Sequence, residues 1–217
     1  MIPLKDINPT RTTPFVNIAL IVANVLVFFY QASLPPPAAE AFVLSHATIP
    51  MLFPKFLMGA VGFGVAFQPL FTSMFLHGGL MHLLGNMLFL WIFGDNVEDD
   101  FGHIRYLLFY ILCGIGSGLI HVLFNFSSPF PAIGASGAIS GVMGAYALLY
   151  PRHQILTFFF IFLIPIPAYL IWGYWFVLQF LSGVGSLGSS MSGGVAWWAH
   201  IGGFLLGMLI TGTVRRK

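Results

Sequence analysis

Apolar residues in this chain come in long unbroken blocks. These lie near 14–32, 73–93, 105–126, 135–150, 155–181 and 196–213. A helix that crosses a bilayer needs roughly 20 mostly apolar residues, which five of the blocks supply and the block at 135–150 does not quite. Transmembrane β-strands would instead show alternating segments of about ten residues, and none is present. The pattern therefore predicts six helical spans. Pro14 suits the first turn of the first one. That block is longer than the apolar core of a signal peptide and follows a mostly polar stretch, so it reads as a span despite the weak cleavage-like "AEA" at 39–41. The connections are uneven. Residues 34–72 make a long outer loop that is still rather apolar and suited to the interface. Residues 94–104 read as an acidic inner turn, and 182–194, "SGVGSLGSSMSGG", as a Gly/Ser-rich outer cap loop. Residues 1–217 read as one membrane domain without an internal repeat.

Composition sharpens this. Only 6% of the 217 residues are charged, against about one quarter in a typical soluble domain, so the chain could not present a wetted surface. A formal net charge of +2 gives no reason to expect a nucleic-acid partner. Cys113 is the single cysteine, so no intrachain disulfide can form. With six spans and a cytoplasmic N-terminus, Lys5, Arg11, Arg105, Arg152, Arg215, Arg216 and Lys217 lie inside and only Lys55 outside. That obeys the positive-inside rule, whereas five or seven spans would misplace one terminus.

The chemistry is concentrated in three spans. The second carries His77, His82 and Asn86, the fourth Ser136 and Ser140, and the sixth His200. Polar side chains inside a bundle are expensive and point to function by default. From Ser136 to Arg152 is sixteen residues, from His200 to Arg215 fifteen, and from His82 to Asp95 thirteen. At the helical rise these are about 24, 22 and 20 Å, so the three polar sets share one depth. Pro129 and Pro131 discourage helix upstream of Gly134, so the fourth span starts low, with Ser136 at its N-terminus on the floor of a wet pocket. Small residues at four-residue spacing, Gly137/Gly141/Ala145 and Gly203/Gly207, allow the fourth and sixth helices to approach closely. Ser136 and His200 can then meet as a nucleophile and its base. No carboxylate lies in a span, which predicts a dyad rather than a triad. His82 and Asn86, one turn apart on one face, are candidate oxyanion donors together with backbone N–H groups near Ser136. His77 reads as structural or interfacial, His121 and His153 as wet, Trp197 and Trp198 as an aromatic belt, and Pro165 and Pro167 as a kink in the fifth span.

The segments "HGGLMHLLGNMLFLWIFGDNVED" (77–99), "GASGAISGVMGAY" (134–146) and "AHIGGFLLG" (199–207) resemble the signature segments of rhomboid intramembrane serine proteases, and "MIPLKDINPTRTTP" resembles bacterial members. The resemblance implies an all-α polytopic membrane protein, a six-transmembrane-helix rhomboid bundle in a bacterial inner membrane with both termini cytoplasmic. It implies Ser136 as nucleophile, His200 as base, and His82 and Asn86, with Gly134 of the GxSG segment, at the oxyanion. Substrates would be membrane-anchored proteins cut within or next to a transmembrane segment, with no metal or cofactor. A non-catalytic protein binding transmembrane clients is the alternative; a transporter would call for an inverted repeat, which is absent. Two departures stand out. The region "FQPLFTSMFLH" lacks the Trp-Arg pair of many members, and Ser140 stands where some carry a Tyr that stacks on the histidine. What holds the His200 imidazole is therefore open.

Overall fold

The computed structural model describes residues 2–186 and 196–214. It is mostly helical. Strand β1 (Ile2–Asp6) precedes α1 (Phe15–Ser33), and the outer segment folds into α2 (Pro36–His46), α3 (Leu52–Leu57), α4 (Phe63–Phe67) and α5 (Pro69–Thr72). Then follow α6 (Leu80–Phe101), α7 (His103–Phe124), α8 (Ser136–Leu149), β2 (Gln154–Phe159), β3 (Phe162–Pro167), α9 (Ala168–Ser186) and α10 (Trp197–Val214). Among the described residues, α1, α6, α7, α9 and α10 are long and apolar enough to cross a membrane, and α8 is a shorter apolar helix of 14 residues. This is a multi-pass helical membrane protein. Of the predicted cap loop, residues 187–194 lie outside the described residues, as do Arg215, Arg216 and Lys217.

Three predicted boundaries move. The span expected over 73–93 begins at Leu80, because Ser73–Phe75 is a separate 3-10 turn, and it runs on to Phe101. The acidic stretch expected as a turn over 94–104 is therefore largely helical, and the reversal contracts to Gly102, whose φ of +75° suits glycine. The span expected over 155–181 begins at Ala168. Residues 154–167 form an antiparallel hairpin instead, which β1 extends to a sheet of order β1-β2-β3. Pro165 and Pro167 sit in β3, an edge strand, where a missing N–H can face away from the ladder; they mark a hairpin, not a kink. The outer loop of 34–72 is helical over much of its length and is tied to the chain before α8 by the Thr48–Ala132 bridge.

Polar groups of α6 organise the end that carries the N-terminus. Glu98 is fully buried, and its carboxylate accepts the backbone N–H groups of Val16 (3.0 Å) and Asn17 (2.7 Å). These are orphan donors of the first turn of α1, where a negative charge also suits the helix dipole. Asp99 accepts from Arg11 and Thr12, and its neighbourhood raises the Arg11 guanidinium further above its ordinary range. Asp6 accepts from Tyr146 (2.6 Å) and Asn96 (2.9 Å), while burial pushes its carboxyl above the usual carboxylate range. Replacing Glu98 by Gln turns one acceptor into a donor facing N–H groups. A loss of about 1–2 kcal/mol is expected, read as a lower melting temperature in detergent.

The core lies where α6, α7, α8 and α10 meet, and α8 is buried along most of its length. Its glycines explain the fit. A methyl added to Gly203 would overlap the carbonyl oxygen of Gly137, and one added to Gly207 that of Gly141. The predicted small-residue faces therefore bring the backbones of α8 and α10 into direct contact, as close membrane packing requires.

Candidate active site

The chain reaches α8 through a bridged and pinned approach. Ala132 pairs with Thr48, and the Gly134 N–H donates to the carbonyl of Ser73 (2.9 Å). Gly134 has φ +124°, which L side chains rarely adopt, and a Cβ there would lie 2.8 Å from His82 Nε2. Both facts reserve the position for glycine. Two residues on, Ser136 opens α8, whose first-turn N–H groups have no intrahelical acceptors.

The α8–α10 contact carries Ser136 to His200. Ser136 Oγ lies 2.7 Å from His200 Nε2, a hydrogen bond between residues 64 positions apart. On the other edge of the ring, His200 Nδ1 lies 2.6 Å from Gln179 Oε1, on α9. The Trp175 ring lies 5.9 Å from the imidazole and tilted against it, and Trp197 meets it edge-on at 6.4 Å. Ser140 does not reach the histidine: its hydroxyl donates back to the Ser136 carbonyl (2.6 Å).

On α6, His82 and Asn86 face the same place. His82 Nδ1 accepts the Gly78 N–H (3.3 Å), which leaves the proton on Nε2, the nitrogen beside Gly134. Asn86 Nδ2 donates to Nε2 of the fully buried His77 (2.9 Å) and also lies on the Gly134 side. His77, expected to be structural or interfacial, is buried and holds the Asn86 amide by this bond. A cavity of about 770 Å³ opens between α6 and α9, with His82, Asn86, Phe89, Ser136, Trp175 and His200 in its wall. Of the six polar residues singled out from the three spans, His82, Asn86, Ser136, Ser140 and His200 line this cavity and His77 does not. Among the described residues, no three His, Cys, Asp or Glu side chains gather as a metal site.

Sequence reasoning missed Gln179. Its signal was available, a lone amide in the apolar run "WFVLQFLS", but nothing marked which partner it served.

Comparison with known proteins identifies the family. The family model described as "Rhomboid domain" matches residues 65–217. RHOMBOID-like protein 1 of Arabidopsis thaliana is 30% identical over 217 residues, covering 91% of this chain and 52% of that protein. Rhomboid protease GluP of Bacillus subtilis is 46% identical over 81 residues, 37% of this chain and 15% of that protein. Rhomboid protein 1, mitochondrial, of Saccharomyces cerevisiae is 33% identical over 144 residues, 63% of this chain and 39% of that protein. The chain thus spans about half the length of the first of these relatives and less of the others. The matched segment runs from the end of the outer loop through α10 and contains every residue of the Ser136 site, so the chain belongs to the rhomboid family.

Proposed function

We propose that this chain is an intramembrane serine endopeptidase, a single membrane domain that cleaves membrane-anchored proteins within or next to a transmembrane segment. The observation that carries the reading is the 2.7 Å contact of Ser136 Oγ with His200 Nε2 in the wall of a cavity that two further donors face. A relative named as a rhomboid protease supports it.

In this reading Ser136 Oγ attacks the scissile carbonyl carbon while its proton passes to His200 Nε2. The carbonyl oxygen becomes an oxyanion facing His82 Nε2–H, Asn86 Nδ2–H and the N–H groups at the start of α8, where the helix dipole is also favourable. The protonated His200 then gives its proton to the leaving amine as the C–N bond breaks. Water repeats the sequence on the acyl-enzyme and regenerates Ser136. Gly134 serves by leaving room for the His82 ring. A substrate helix must unwind locally, since a helical amide is held by its own hydrogen bonds. Both termini are assigned to the cytoplasm on the seven-to-one bias of Lys and Arg, and a bacterial inner membrane on the resemblance of the N-terminal segment.

The test is cleavage in proteoliposomes of a single-span substrate with a helix-destabilised outer segment, with chelator present, alongside fluorophosphonate labelling. Cleavage with labelling at Ser136 is expected. A folded protein that neither cleaves nor labels would favour binding of transmembrane clients without catalysis. His82→Ala and Asn86→Ala should each lower kcat by roughly 10²-fold, the effect of losing one oxyanion donor. Both should still label with fluorophosphonate, more slowly.

A further inference from the structure

The His200 ring has two nitrogens, and only one of them faces Ser136. Inside a membrane protein the other cannot be left without a partner cheaply, and its partner decides where the ring proton sits. We infer that Gln179 is the positioning residue of the catalytic histidine, an uncharged third member of the Ser136–His200 pair supplied by α9. This rests on the serine-protease reading above.

The geometry carries the argument. Gln179 Oε1 is an acceptor without a proton, and it lies 2.6 Å from His200 Nδ1. Nδ1 must therefore bear the hydrogen, so that Nε2 keeps its lone pair toward the Ser136 hydroxyl 2.7 Å away. That is the tautomer a general base requires. Gln179 is itself 8% exposed, so water does not compete freely for its oxygen. Trp175 lies one helical turn earlier on the same face of α9 and packs against the same imidazole at 5.9 Å. One helix thus holds the ring by an edge and by a face. This is the support that Ser140 does not give, since its hydroxyl is turned to the Ser136 carbonyl.

The choice of an amide has a physical reason. When His200 accepts the serine proton, the Nδ1–H···Oε1 bond becomes charge-assisted and strengthens. A carboxylate would stabilise the imidazolium more. In the resting enzyme, though, it would have to be buried ionised at membrane depth beside a neutral ring, which is costly. An amide fixes the tautomer and orientation without adding a charge.

The experiment compares Gln179→Met, which keeps length and removes the acceptor, with Gln179→Glu, which keeps an acceptor oxygen. Cleavage in proteoliposomes and the fluorophosphonate labelling rate are measured, with Ser136→Ala and His200→Ala as references. Gln179→Met should lower kcat roughly 10- to 100-fold, the scale of a misoriented catalytic group. KM should stay near the wild-type value, and labelling should slow in parallel. Gln179→Glu should retain more of both rates than Gln179→Met. Nitrogen NMR of histidine-labelled protein should show His200 protonated at Nδ1 in the wild type and a tautomer mixture in Gln179→Met. Wild-type kcat and an unchanged tautomer in Gln179→Met would overturn the assignment. So would equal losses in both variants accompanied by equal drops in melting temperature, which mark a packing role. If Ser136→Ala or His200→Ala remained active, the serine-protease reading itself would fail, a result distinct from either.

Discussion

Replacing Ser136 by alanine is expected to lower cleavage by about four orders of magnitude or more, and His200→Ala to do the same. The two residues act as one unit. Without the hydroxyl there is no nucleophile, and without the imidazole Ser136 Oγ loses the base that stands 2.7 Å from it among the described residues. The double variant should therefore be hardly worse than either single one, since effects within a catalytic unit do not add. Folding should survive. Ser136 is only partly buried at the cavity wall, and its backbone role at the start of α8 does not depend on the hydroxyl. Rates in proteoliposomes, with melting curves in detergent as control, check this. Full cleavage by Ser136→Ala with chelator present would remove the serine mechanism.

The second large effect is expected from one methyl group. Gly203→Ala and Gly207→Ala each place a Cβ on a backbone carbonyl oxygen of α8, at Gly137 and Gly141. A side chain in the way could turn aside, but a carbonyl in a helix cannot, so the helices must separate. Overpacking of this kind costs about 1–3 kcal/mol, occasionally more. The catalytic loss should be out of proportion to that figure. Ser136 stands on α8 and His200 on α10, so widening their contact stretches the bond between them directly. A displacement of about 1 Å can lower a rate by roughly 10²-fold. Gly212→Ala, on the same helix with open space at its Cβ position, should change little and serves as the control. Melting temperature and kcat, measured on all three variants, separate the two consequences.

The spanning helices were legible in the sequence because lipid demands long apolar runs, and the ends of α1, α7, α8 and α10 fall near the predicted limits, whereas α6 and α9, which line the cavity, begin later than predicted. The meeting of Ser136 with His200 was legible for two independent reasons. Matching depth brought them to one level, and glycine spacing brought their helices to one axis. The hairpin at 154–167 was not legible as such. "QILTFFFIFLIPIP" is as apolar as a span, and hydropathy does not distinguish an interfacial strand pair from the start of a helix. The two prolines held the information, but a kink and an edge strand both accommodate them. The acidic end of α6 misled for another reason. Four carboxylates in six residues look like a solvated turn until their partners are known, and Glu98 and Asp99 bond to residues more than 80 positions earlier. Gln179 was hidden in the same way, because an amide announces nothing until the ring it faces is in place.

The pairing of β1 with β2 has a consequence for how the molecule is made. Ile2–Asp6 finds its ladder partners only at Ile155–Phe158, and Asp6 its hydroxyl donor at Tyr146. During synthesis the first strand must therefore wait, unpaired, until the chain has been made as far as Phe158. Long-range closure of this kind is slow and comes late in assembly. The strand can close only after α1, α6, α7 and α8, which precede β2 in the chain, have been made. Until it closes, the β1 segment should be more exposed to proteases than in the finished fold, and limited proteolysis of chains that end before and after β2 checks this.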